Sequence, residues 1–398
     1  QEPEFTRLIQ QLSQQSAPTE TAALERRCLQ MLGGLFHTTA PAGASVPSRA
    51  QAVQLAGLAM LWNWRRHRRA PGQPINRPNI IWGRTPSTAW AHFARIFEIE
   101  SRSVPTTDNR FVLDVDKAVA QIDANTIGVV GVLGNDMTGN YDSIVDLNAG
   151  LTRIREMTGR DVPIHVDAVG GFVAPFLTPE AQWDFRLPHV QSIHVSGEQY
   201  GMVQPAAEWV LWRDPVALPD GLSSANHDGD ASSAAEGVMA QYYSFLRLGR
   251  DGYTRIMRDL QDVSRIVAQG LAATNRFELL SDGQSLPLVC VKLREGSRFS
   301  VLDISQELHE RGWRVPASRV GSGQVEILRI VPGEGFDRSR AEMLIQDIRR
   351  VLKVLDIRPP RRSQQEIEQS LLHDVSETLQ DIRGIHTRIP LTTPARVS

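Results

Sequence analysis

Lysine is nearly missing from this chain. Of 398 residues, 43 are basic, and only Lys117, Lys292 and Lys353 are lysines; the other 40 are arginines. A GC-rich coding bias accounts for the arginine excess in bulk. The scarcity still excludes most chemistry that needs a nucleophilic amine and leaves three places where a Schiff base could form. Cysteine is scarce too. Cys28 lies in a helical pattern and Cys290 in a strand-like run, so two buried thiols in a reducing compartment are expected and a disulfide framework is excluded. No apolar run approaches the roughly 18 residues of a membrane span. Neither charge sign dominates, with 43 basic against 45 acidic residues and a net charge of -2, which argues against a dedicated nucleic-acid binder. The opening Gln-Glu-Pro-Glu-Phe is not a secretory leader. A chain opening on Gln rather than Met reads as trimmed, and the expected setting is cytoplasmic.

What is present is an ordinary globular composition, 41% hydrophobic, at a length that favours two domains. The first residues are polar with weak helical spacing at Phe5, Leu8, Ile9 and Leu12. A firmer helix spans Thr21 to Leu35, a Pro/Gly/Ser loop Ala40 to Pro47 follows, and Ser48 caps a helix reaching Trp64. Short apolar runs then alternate with helical patterns. Strands are predicted at Asn79–Trp82, Ile127–Leu133, Pro163–Asp167, Ser192–Val195 and Glu208–Trp212, with helices at Ser87–Ile96 and Ile144–Thr158. Such continuous runs suit an α/β sheet covered on both faces. Helices Gly237–Leu246 and Gly252–Ala272 lead into a smaller α/β unit. It comprises strands Pro287–Leu293 and Val325–Ile330 with helices Val301–Arg311 and Asp337–Leu355. The expected division is an N-terminal helical segment 1–47, a large domain 48–255, a small C-terminal domain 256–357, and a linker, polar helix and tail over 358–398. In the last part, Ile367, Leu371, Leu372, Val375 and Leu379 make an apolar stripe suited to packing on the protein itself or a sister subunit.

Several segments carry a family resemblance in order and spacing. They are Ala56-Gly57-Leu58-Ala59-Met60-Leu61-Trp62-Asn63-Trp64, Asn125 to Val130 with Met137-Thr138-Gly139-Asn140-Tyr141, and His165-Val166-Asp167-Ala168 with Gly170 to Phe176. Trp183 to Pro188, Ser192 to Gly201 and Gln241 to Arg250 complete the set. From about Thr21 to Leu355 the chain resembles a glutamate decarboxylase of the pyridoxal-phosphate group II decarboxylases. The resemblance implies the fold type I architecture: a large domain with a mixed, mostly parallel sheet, and a small C-terminal α/β domain. It also implies pyridoxal phosphate as family cofactor and a homodimer or larger oligomer with sites at subunit interfaces.

Carried over residue by residue, Asp167 matches the aspartate that holds the pyridine nitrogen protonated, so that the ring acts as an electron sink. Ala168 follows it. Thr138 matches a threonine near ring and substrate, His165 a family histidine, and Arg329 an arginine on the active-site side. The departures are heavier. Gln199 stands where the resemblance places the Schiff-base lysine, and an amide nitrogen is no nucleophile for an aldehyde. Glu198 stands where a histidine neighbours the cofactor phosphate. Ser48-Arg49-Ala50 replaces a Gly-Ser-Ser phosphate cradle, and Ser87 replaces a polar side chain over the ring. The loop Ala42 to Val46, the stretch Leu222 to Glu236 and the Asp167–Gly170 turn all look shortened. Arg49 and Glu198, opposite charges gained around the former phosphate position, are expected to form an ion pair there.

Plainer readings stand beside these. Asp167 could cap a turn, Arg329 could serve a buried salt bridge, and the Arg65–Arg69 cluster suits a solvated helix end. His165 and Asp167 lack a third ligand for a metal, so no metal is expected. The leading expectation is a pseudoenzyme, a scaffold or partner subunit, in one variant beside an active paralogue, with no covalently bound cofactor. The alternative is altered, lysine-independent chemistry on an amino-acid-like small molecule, with His165, Asp167 or Glu198 as acid or base. An active carboxy-lyase is the weakest reading. Neither nucleic acid nor membrane is an expected partner.

Overall fold

A computed structural model describes residues 3–15, 18–69, 72–83, 88–105, 111–135, 137–204, 207–215, 231–320, 325–333 and 335–357. Ser87, the 358–398 linker, helix and tail, and most of the shortened Leu222–Glu236 stretch lie outside the described residues.

The chain opens with helices α1 (Pro3–Gln15) and α2 (Pro18–Leu35). Strand β1 (Ala42–Val46) and helix α3 (Arg49–Arg69) follow. Strand β2 (Asn79–Gly83), helix α4 (Thr88–Ile96), strand β3 (Glu100–Val104), the short helix α5 (Val115–Ala120) and strand β4 (Thr126–Val132) come next. Helix α6 (Ile144–Thr158) starts at Ser143, whose side chain accepts the Asp146 N–H, and stops at Gly159. Strand β5 (Ile164–Asp167), a turn of 3-10 helix and helix α7 (Ala174–Leu177) lead to strands β6 (Val190–Ser196) and β7 (Glu208–Trp212).

These seven strands form one sheet in the order β1-β7-β6-β5-β4-β2-β3. The strands from β3 to β6 run parallel, while β7 is antiparallel to β6 and β1 antiparallel to β7. Strands β4 and β7 are largely apolar because both faces are covered, while β5 and β6 alternate apolar with polar residues. On one face α3 and α4 pack Val53, Met60 and Phe93 against Ile80, Val130 and Trp212. On the other, α2 and α6 pack Leu32 and Leu147 against Ile81, Val129 and Val166.

The expected loop at Ala40–Pro47 is instead strand β1, registered on β7 from Ala42↔Trp212 to Val46↔Glu208. Its small residues Ala42 to Ser45 have weak strand propensity, and pairing with a buried neighbour overrides it.

Helix α8 (Ala231–Ala272) joins the two predicted helices, with a break at Gly249, whose φ of 58° suits glycine. A second sheet follows, built from β8 (Phe277–Asp282), β9 (Val289–Leu293), β10 (Ala317–Val320) and β11 (Val325–Ile330) in the antiparallel order β10-β11-β9-β8. Helices α9 (Val301–Glu310) and α10 (Arg338–Ile357) and the end of α8 enclose its core around Val267, Val291, Ile304, Leu328 and Ile348. A capping box starts α9, where Ser300 and Asp303 exchange side-chain and backbone bonds.

Candidate functional site

Three neighbouring strands place polar side chains at every second position on the face beneath α3. His165 is registered on Ser192, Asp167 on His194, and Ser196 on Glu208. All but Ser196 are buried. Asp167 ends β5 at the carboxyl edge of the parallel strands, where open α/β sheets place ligands.

A buried carboxylate must find partners, and Asp167 finds three. Arg49, the first residue of α3, donates Nη2 to Oδ2 at 3.0 Å. Trp90 of α4 donates Nε1 to the same oxygen at 3.3 Å. His194 faces the other oxygen with Nδ1 at 3.5 Å, an ion-pair distance. The far nitrogen of His194 meets Glu208 Oε2 at 2.8 Å, and Ser196 donates to Glu208 Oε1 at 2.9 Å. His165 shares a 2.7 Å hydrogen bond with Ser192 and sets its ring edge-on to Trp90 at 5.1 Å. Its Nε2 is buried without a hydrogen-bond partner among the described residues.

Burial alone would push the Asp167 carboxyl up, but Arg49 and the two histidines hold it well below the usual carboxylate range. Burial opposes charge on His194 as well. Asp167 and Glu208 outweigh it and raise the imidazolium to about 9. His165 has no such pair of anions, and burial pushes it down to about 3. The result at neutral pH is a closed set: a carboxylate, a guanidinium and an imidazolium sharing Glu208, beside a neutral imidazole.

The expected Arg49–Glu198 pair is therefore corrected: Arg49 joins Asp167. The physical reason is dielectric. Asp167 keeps 3% of its side-chain exposure, so its field is little screened, whereas Glu198 is exposed to solvent.

Ser48 is exposed and works as a helix cap, its Oγ accepting the Gln51 N–H at 3.3 Å. Ala168 is buried and donates its N–H to the His194 carbonyl at 2.8 Å. Thr138 sits in the turn after β4, where its N–H and Oγ both donate to Asn135 Oδ1, at 2.7 and 3.1 Å. Arg329, on β11, lies close enough to Tyr200 and Cys290 for its charge to act on both.

The turn that carries Gln199 is tight. After β6, Gly197 donates to the Ala207 carbonyl at 2.9 Å and Val203 returns to the Gly197 carbonyl at 3.2 Å. A Cβ at Gly201 would lie 2.3 Å from the Gly197 oxygen. Gly201→Ala should thus destabilise the chain by about 1–3 kcal/mol through overpacking, measured as a lower urea midpoint at unchanged slope. An unchanged midpoint would show that the turn relaxes freely. Tyr253 and Gln241 of α8 anchor the Gly201 carbonyl at 2.8 and 3.3 Å. Glu198 and Gln199 project from the turn and are exposed.

The three lysines are elsewhere. Lys117 pairs with Asp114 at 2.8 Å, Lys292 with Glu278 at 3.1 Å, and Lys353 is exposed on α10.

Trp90, Ser192, His194 and Glu208 escaped the sequence reading. The signal was there for His194: Ser192, His194 and Ser196 repeat with the period of His165 and Asp167, inside a run otherwise apolar.

Residues 9–294 match the family described as "Pyridoxal-dependent decarboxylase conserved domain". The glutamate decarboxylase of Solanum lycopersicum is 38% identical over 358 residues, covering 86% of this chain and 71% of that protein. Among solved structures, the glutamate decarboxylase of Lactobacillus brevis superposes with a TM-score of 0.84 at 34% identity, covering 90% of this chain and 87% of that one. The sphingosine-1-phosphate lyase of Burkholderia pseudomallei shares the fold, with a TM-score of 0.74 at 20% identity, covering 94% of this chain and 86% of that one. The architecture is the α/β fold type I of pyridoxal-phosphate decarboxylases.

Proposed function

Because this chain belongs to the pyridoxal-dependent decarboxylase family, we propose that it is a glutamate-decarboxylase-like protein that has given up Schiff-base catalysis and acts as a noncatalytic subunit. Pyridoxal phosphate is the cofactor of that family. The observation that carries the proposal is the fit of the pocket to it. A covalently held cofactor needs an amine beside the ring and a carboxylate free to take the ring nitrogen. Gln199 supplies an amide on the turn after β6, the three lysines lie on other elements, and Asp167 already receives Arg49 and Trp90. The residues present do not fit the cofactor.

Altered acid–base chemistry has less support. His165 and Asp167 are buried, Asp167 is engaged by Arg49 and Trp90, burial keeps His165 neutral, and Glu198 is exposed to solvent. The role that remains is structural. Related decarboxylases are typically oligomers, and we assign this chain to such an assembly, with a second copy of itself or a catalytically complete relative. No described helix is long and apolar enough to cross a membrane. Cys28 and Cys290 are free, and burial pushes both thiols up to about 12, which suits a reducing, cytoplasmic setting.

The test is direct. The chain is incubated with pyridoxal phosphate, reduced with borohydride, digested and mapped, and carbon dioxide release from labelled glutamate is followed in parallel. The expected result is no stoichiometric adduct and no release above the blank. One lysine labelled to completion, or turnover, would sink the proposal.

A further inference from the structure

We propose that Arg49 is a built-in occupant of the pyridine-nitrogen anchor, so that the pocket actively excludes pyridine aldehydes instead of merely lacking the means to bond them. The proposal rests on the noncatalytic reading above and goes further: it assigns the exclusion to one side chain other than Gln199.

Position makes Arg49 unusual. It begins α3, directly after the capping Ser48. A cation there opposes the partial positive charge of the helix N-terminus, so helix electrostatics does not account for it. Compensation comes from β5, a strand far away in sequence, through the 3.0 Å contact to Asp167. The geometry of that contact is that of a ring N–H on a carboxylate: a planar cation donating one N–H to one oxygen. Trp90 donates to the same oxygen as Arg49, and the other oxygen faces His194 at 3.5 Å, an ion-pair distance. A protonated ring nitrogen would have to displace Arg49 or sit beside it as a second cation. Either outcome weakens binding, and a neighbouring like charge shifts such equilibria by about one to two powers of ten.

Four proteins test this: the native chain, Arg49→Ser, Gln199→Lys and the double variant. Each is titrated with pyridoxal phosphate, followed by cofactor fluorescence and melting temperature, and then desalted and scanned for retained visible absorbance. Arg49→Ser should bind pyridoxal phosphate about tenfold to a hundredfold more tightly than the native chain and regain melting temperature as it does so. Gln199→Lys alone should retain little cofactor through desalting, while the double variant retains it. If Gln199→Lys alone holds cofactor as well as the double variant, or if folded Arg49→Ser gains no affinity, Arg49 is not the excluder. The native chain supplies a readout that needs no variant. Its Arg49 guanidinium nitrogen resonances should stay in place when pyridoxal phosphate is added in millimolar excess, and a saturable displacement would overturn the proposal. Failure of the noncatalytic reading looks different, since the native chain would itself become labelled at a lysine.

Discussion

Arg49→Ala should destabilise the chain by about 2–4 kcal/mol, much more than loss of a surface ion pair. Removing one partner of a buried pair leaves the other desolvated and uncompensated, which costs about 3–5 kcal/mol when both are fully buried. Arg49 keeps 31% of its side-chain exposure, so water screens the pair and the lower part of that range applies. The two partners should respond unequally. In Arg49→Ala, Asp167 remains buried beside His194 and Trp90. In Asp167→Asn, the guanidinium can turn toward solvent, and a loss of about 1–2 kcal/mol is expected for its hydrogen bond. The double variant should be less destabilised than the sum of the two, with a coupling of about 1–3 kcal/mol. Urea denaturation of the four proteins at neutral pH measures all of this. Strict additivity would mean that the 3.0 Å contact contributes no coupling energy.

The same pair shows where sequence reasoning reached its limit. Charged residues at Arg49 and Glu198 are visible in the linear chain, and the resemblance puts both around one expected pocket. Which carboxylate takes the guanidinium is decided by topology. The N-terminus of α3 lies over the carboxyl end of β5, 118 positions away in sequence, and the pocket's low dielectric favours the buried partner. Nothing in the order of residues ranks Asp167 above Glu198 as that partner.

The fold divided along a similar line. Strands β4, β5, β6 and β7 are buried on both faces, and the Ile, Val, Leu and Trp residues they carry announced them. Helix α6 was legible to the residue because Ser143 and Gly159 mark its ends. Strands β1 and β3, Ala-Gly-Ala-Ser-Val and Glu-Ser-Arg-Ser-Val, sit at the two sheet edges and carry little apolar signal. They are strands because a neighbour offers backbone partners, and that offer is a property of the assembled sheet.

Stability should fall as pH rises from 6.5 through 9, by about 3 kcal/mol over that interval. His194 is the cause. Its pKa is raised from 6.5 to about 9 in the folded chain. The native state therefore holds a proton that the unfolded state has released. The contribution is complete below 6.5 and is lost through 9. Other groups act in different windows. His165, lowered from 6.5 to about 3, costs stability as pH falls below 6.5, because the unfolded chain binds that proton first. Asp142, raised by burial from 3.8 to about 6, works in the opposite direction between those two values and has no further effect above them. The thiols of Cys28 and Cys290, raised from 9.0 to about 12, begin to cost stability only where His194 has finished. Among the described residues whose titration the fold shifts, His194 thus has the interval from 6.5 to 9 to itself. Denaturation midpoints at pH 6.5 and just above 9 should differ accordingly in the native chain and converge in His194→Gln, which is less stable than the native chain at pH 6.5. A flat native profile, or an equal slope in the variant, would mean that the imidazolium is not held between Asp167 and Glu208. It would also remove one of the two cations that keep Asp167 ionised, and with it the self-compensated pocket that Arg49 completes.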